Sequence, residues 1–141
     1  MPTNTAGSQA RVYHQAQTHH ISLAYTFTSL PGSSGVQIGI IPAGAYIIRA
    51  SAAVTTSFNA GTAGTNNTFT IGTTTGTSNI VASSAIPGTA GVAALVMGTS
   101  TALLATVDMP IFLNNTSAGT AATTGAGLVA VEYICPDSIL V

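Results

Sequence analysis

The amino-acid sequence predicts an all-β protein: a single antiparallel β-sandwich, jelly-roll-like, with an irregular N-terminal arm. Three observations carry that expectation. Apolar and polar residues alternate with a period of two in four separate segments, and two is the period at which strand side chains change face. Clusters of Gly, Pro, Ser, Thr and Asn separate the segments, and these residues make turns. No segment carries a convincing apolar stripe at helical spacing. Seven or eight strands joined by such turns, with no fixed-period repeat, read as a sandwich rather than a solenoid.

In chain order, Met1 to Thr18 is rich in Thr, Ala, Gln and Gly without a sustained period and is expected to form the arm. Residues 19–141 are expected to form the sandwich domain. Ile21, Leu23, Tyr25 and Phe27 alternate with Ser22, Ala24, Thr26 and Thr28, the pattern of a half-buried strand with aromatic and β-branched residues inward. Pro31 to Gly35 is a turn cluster, and Val36 to Ile41 is a second strand. Pro42 lacks an N–H and suits a strand boundary. Ala43-Gly44 supplies a turn into the longest strand. There Tyr46, Ile48, Ala50, Ala52, Val54 and Phe58 are expected on the core face. Arg49, Ser51, Thr55 and Ser57 are expected opposite. Ile47 and Ala53 interrupt the polar face, so a bend or bulge is expected. A helix over the same stretch would place Tyr46, Arg49 and Ala53 together, a poor stripe.

After an Asn/Gly/Thr loop at 59–66, Thr68 to Gly72 resumes the alternation with Phe69 and Ile71 inward. This strand is expected to form a hairpin with the long one. Asn79 to Ala85 is weakly strand-like, and Val92 to Met97 fits a strand or a helical turn. From Thr101 to Leu113, the residues Leu103, Ala105, Val107, Met109, Ile111 and Leu113 share one face. Pro110 opposite them points to an edge or a bulge. Asn114 to Gly125 reads as a polar connection. Gly127 to Cys135 is the last strand, with Val129, Val131 and Tyr133 inward, Glu132 outward and Pro136 ending it. The predicted core is Ile21, Leu23, Tyr25, Phe27, Ile48, Val54, Phe69, Ile71, Val129, Val131 and Tyr133.

Charge is the most unusual property. Only 4% of the 141 residues are charged, against about 25% in an ordinary globular chain. Arg11 and Arg49 are the cations, and Asp108, Glu132 and Asp137 are the anions. With a net charge of −1 and no basic run, nothing neutralises phosphates, so nucleic acid is not an expected partner. No run approaches 18 consecutive apolar residues, so no membrane span is expected. Met1 to His20 lacks the apolar central region of a secretory signal. Cys135 is alone, which rules out an internal disulfide and leaves it the role of a small buried apolar residue. A surface so poor in charge has little repulsion to keep copies apart. A homo-oligomer is expected, its apolar and Thr/Ser surfaces meeting. The apolar tail Ile139-Leu140-Val141 adds to that expectation.

The residues do not assemble into a catalytic pattern. His14, His19 and His20 are the one cluster of potential metal ligands. Neighbours on a strand point opposite ways, and no carboxylate or cysteine lies nearby in sequence to complete a site. No Gly-x-Ser-x-Gly elbow surrounds any serine. The three carboxylates have no setting that marks an acid/base pair. Asp108, ahead of Met109-Pro110, fits a turn hydrogen bond. The Gly-rich stretches lack both the phosphate-loop spacing and its lysine. No enzyme, cofactor or metal is expected.

The run IPAGAYIIRASAAVTTSFNAGTAGTNNTFTIGTT, residues 41–74, resembles a segment of small structural proteins of tailed bacteriophages. In those proteins a Pro-Ala-Gly turn opens a long Ala/Thr-rich strand ending in Phe-Asn, followed by a Gly/Thr loop and a Phe-Thr-Ile-Gly-like strand. Ala-Gly-Leu-Val-Ala-Val-Glu-Tyr, residues 126–133, is similar to their closing strand. The resemblance implies a virion component made in the host cytoplasm, a capsid cement (decoration) protein on the capsid surface. Its partners would be its own copies, as a trimer, and the major capsid protein. It carries over no catalytic residues. The contact candidates are Arg11, Tyr13, His14, His19 and His20 in and beside the arm, and Ile139, Leu140 and Val141 at the tail. A tail-fibre or receptor-binding (glycan-binding) sandwich is the alternative, although its usual stacking Trp is absent. An ice-binding face would need a regular Thr array, and Thr-x-Thr occurs here only irregularly.

Overall fold

In the computed structural model, the described residues are 18–29, 34–58, 68–85, 89–98, 101–116 and 123–135. They form eight strands: β1 (Thr18–Thr26), β2 (Val36–Ile41), β3 (Tyr46–Thr56), β4 (Thr68–Gly72), β5 (Val81–Ala85), β6 (Gly91–Ala94), β7 (Met109–Thr116) and β8 (Ala126–Ile134). A single 3-10 turn, Thr101–Leu103, precedes β7. Two four-stranded antiparallel sheets result, ordered β1-β8-β3-β6 and β2-β7-β4-β5. The order is that of a long ribbon rolled up on itself. β1 lies beside β8, β2 beside β7, β3 beside β6 and β4 beside β5, which is the jelly-roll-like sandwich expected.

The core lies between the sheets. Tyr25, Val54, Phe69, Ile71, Val129 and Val131 are buried as expected, joined by Ile41, Ile80, Val81, Leu95, Ile111 and Leu113. Ile21, Leu23, Tyr133 and Cys135 are partly buried against them. Tyr25 stands at one centre, parallel to Phe58 (6.3 Å) and edge-on to Phe69 (5.0 Å), geometries that aromatic pairs favour. Burial disfavours the phenolate and pushes the Tyr25 hydroxyl up to about 12. The fold therefore accepts the neutral phenol. This part of the stability is complete below about pH 10 and is lost as pH rises through about 12. Ultraviolet difference titration is expected to show Tyr25 ionising late, together with unfolding. Ionisation of Tyr25 at pH 10 in the folded protein would contradict this.

β3 departs from a simple alternation, for a physical reason. Its register against β8 shifts between Ile47 and Arg49, and again between Val54 and Thr56. A bulge puts two residues opposite one and swaps the faces beyond it. Ile47 therefore points inward (5% exposed), while Ile48, expected in the core, is 39% exposed. Beyond the first bulge Ala50, Ala52 and Val54 regain the core face. Phe27 is also outside the core (38% exposed), because the chain turns at once after β1: the N–H of Ser29 donates to the carbonyl of Thr26 (3.0 Å).

Three further expectations are corrected. β3 and β4 do not form a hairpin, because they belong to different sheets. The segment 101–113 is not one strand. Thr101–Leu103 is a 3-10 turn, and Val107 is 69% exposed. Asn114 and Asn115 belong to β7 rather than to a polar connection, and both are buried. Asn114 earns its buried place by satisfying backbone groups. Its Oδ1 accepts the N–H of Gly76 (2.9 Å) and its Nδ2 donates to the carbonyl of Thr77 (3.1 Å). This staples the β4–β5 connection onto the outside of its sheet. Pro110 behaves as expected of an edge. At its position β7 pairs with Ile40 of β2, while pairing with β4 begins only at Phe112.

Candidate functional site

Strand directions place both ends of the described sandwich together. Thr18, the first residue of β1, pairs with Ile134, the last of β8, and Ile134 also faces Tyr46 at the start of β3. The segment bearing Arg11, Tyr13 and His14 and the segment bearing Ile139, Leu140 and Val141 therefore leave from adjacent strands at one end. Those six residues themselves lie outside the described residues, as does the arm before Thr18. Thr18 is already part of β1.

His19 and His20 sit at this root, on opposite faces. The His19 ring stacks on Tyr133 (5.5 Å, 26° between planes). His20 lies in register with Glu132, which is itself in register with Arg49. The Arg49 guanidinium, Nη2, pairs with Oε1 of Glu132 at 2.8 Å. That hydrogen bond, with smaller contributions from the Arg49 and His20 charges, holds the Glu132 carboxyl below its usual range, and it raises Arg49 further. The pair lies on the open outer face of the sheet, so water screens it and its worth to stability is small.

Asp108 ties the same end together. Its Oδ1 accepts the N–H of Ala43 (3.0 Å), a long-range bond rather than the local turn bond expected. Beside it the N–H of Gly44 donates to Ala105 (2.7 Å) and the N–H of Ala105 to Ala45 (2.8 Å). Gly44 takes φ +84°, which suits glycine. A shallow groove opens next to this loop, lined by Thr73, Asn79, Thr101, Leu104, Val107 and Met109. Among the described residues, every charged side chain lies at this end. The sequence of residues 30–33, 59–67, 86–88 and 117–122 contains no Asp, Glu, Lys or Arg.

The structure thus gathers His19, His20, Arg49, Glu132 and Asp108 around the origin of both chain ends. Arg49 and Glu132 were not among the sequence-derived candidates. Their outward alternation was legible, but their pairing needed the strand order. No three His, Cys, Asp or Glu side chains among the described residues are grouped to hold a metal. The arrangement can anchor segments and make surface contacts.

An all-β sandwich with this order is a class of architecture, and comparison with known proteins narrows it. No family model and no curated protein sequence matches the chain. Solved structures do. A chain of the cyanophage Pam1 capsid asymmetric unit superposes with a TM-score of 0.65 and 17% identity, over 96% of this chain and 100% of that one. A chain of the acid-stable capsid of Helicobacter pylori bacteriophage KHP30 gives 0.55 and 13%, over 87% and 91%. A chain of the Ralstonia phage GP4 capsid gives 0.54 and 16%, over 84% and 83%. At these identities the likeness is one of fold.

Proposed function

We propose that this protein is a structural component of a tailed-phage virion: a capsid cement (decoration) protein. It binds the assembled head shell from outside, as a homotrimer, and stabilises the shell without catalysis. The observation that supports this most is the end-to-end likeness to a chain from the Pam1 capsid, which is covered completely by this sandwich. Two other phage capsids contain chains of the same fold. The near absence of charge agrees with a surface meant to lie against protein, since burying unpaired charge is expensive.

The physical logic is linkage. A protein that binds only the assembled shell stabilises that state by RT ln(1 + [L]/Kd), about 2.7 kcal/mol at a hundredfold excess over Kd. Repeated over many equivalent sites, modest contacts resist internal pressure. The arm carrying Arg11, Tyr13 and His14, rooted at His19 and His20, reaches the neighbouring major capsid protein. Arms that order on binding cover a large area for their length. Attachment with so few charges depends only weakly on salt.

The test is removal of residues 1–17, which leaves β1 intact. A far-ultraviolet spectrum confirms the fold, and co-sedimentation with empty shells measures binding. Loss of most binding is the expected result. Undiminished binding removes the arm's role. Failure of the intact protein to bind shells points instead to the tail-fibre or receptor-binding reading.

A further inference from the structure

The outer face of the β1-β8-β3-β6 sheet is unlike the outside of an ordinary sandwich. Register across all four strands aligns Ala24, Leu128, Ala53 and Val92 in one row. The next row is Ser22, Ala130, Ser51 and Ala94, and the one after is His20, Glu132 and Arg49. The first two rows form a flat field of small and apolar side chains, with Val92 76% exposed at one edge. The only formal charges in these rows, Arg49 and Glu132, already neutralise each other. The other sheet has its own cover, because Asn114 holds the segment around Gly76 and Thr77 against its outside. The β1-β8-β3-β6 face has no such cover among the described residues.

We infer that this face is covered by a second copy of the same chain, with the Ala24–Leu128–Ala53–Val92 row at the centre of the contact. The inference rests on the homo-oligomer in the reading above and names the surface it uses. Charge decides the occupant. A partner that brought charged side chains over the apolar row would bury them unpaired, which is costly. A copy of this chain brings almost none. Size agrees as well. Strands of nine, nine, eleven and four residues, at about 3.3 Å per residue and about 4.8 Å apart, give roughly 500 Å² of ground. Tyr46 and Ile48 add exposed apolar side chains at one end of it, and the ground is of the same order as the ~800 Å² per partner of a stable interface.

The test uses the intact chain with Ala130→Lys and, separately, Val92→Lys. Both side chains point out of the sheet, and Val92 is too exposed to matter to folding. Val107→Lys, equally exposed but on the end loop, is the control. Mass is read by analytical ultracentrifugation at micromolar concentration, and shell binding by co-sedimentation. The wild type and Val107→Lys are expected as oligomers, with both face variants falling to single-chain mass. Face variants that keep the wild-type mass overturn the inference. If they keep it but lose shell binding, the face belongs to the shell instead. If Val107→Lys also dissociates, the effect is one of charge alone and the face assignment fails. A wild type that is itself a single chain overturns both this contact and the homo-oligomer, while its shell binding reports separately on the cement reading.

Discussion

Phe69→Ala is expected to destabilise the fold by about 3–5 kcal/mol, the cost of removing a large aromatic from a packed core. Phe69 has no exposed surface and stands on β4 edge-on to the Tyr25 ring, which lies on β1 of the opposite sheet. It therefore joins the two sheets directly. Its loss removes transfer free energy and leaves a cavity that a strand backbone cannot close. Domains of this size have about 5–15 kcal/mol in total, so the variant should lose much of its folded margin. Chemical denaturation followed by circular dichroism measures it. A shift below about 1 kcal/mol would mean that the inter-sheet contact is not as described.

Gly127→Ala should also be costly, although it adds only one methyl group. Gly127 sits in β8 between Tyr25 of β1 and Val54 of β3 in register. A Cβ there would fall inside contact distance of the Ala53 carbonyl oxygen and of the Tyr25 ring and hydroxyl. Neither can yield easily. The carbonyl is fixed in a strand, and the Tyr25 hydroxyl donates to that same carbonyl (3.4 Å). Overpacking of this kind costs about 1–3 kcal/mol, and more where backbone must move. The melting temperature is expected to fall by several degrees. Tyr25→Phe combined with Gly127→Ala should recover part of the loss, because it removes one clashing atom. A melting temperature equal to that of the wild type would show that the ring and the carbonyl have room to spare.

Much of this architecture was legible in the sequence, because period-two alternation is dictated by strand geometry alone. The alternation in β1, β4 and β8 placed Tyr25, Phe69, Ile71, Val129 and Val131 correctly. The failures have a common physical cause. A bulge inserts one residue and exchanges the faces, and nothing local to Ile47-Ile48-Arg49 says on which side of it the core lies. A turn likewise ends the alternation without announcing it, as at Phe27. The β3–β4 hairpin failed because adjacency in sequence does not determine which sheet a strand joins. The site suffered most from that limit. Arg49, Glu132 and His20 are far apart in the chain, and only the order β1-β8-β3 makes them neighbours.

The pairing of Thr18 with Ile134 has a mechanical consequence. β1 and β8 run antiparallel, and the start of β1 lies beside the end of β8. A pull that separates those two ends loads the ladder like a zipper, opening one rung at a time from Thr18–Ile134 toward Thr26–Ala126. The same nine rungs pulled in shear would have to break together. The β1–β8 ladder is therefore weaker against tension that separates Thr18 from Ile134 than against shear along the strands. Anchoring the start of β1 and the end of β8 to a single neighbour would spare β1 from being peeled away.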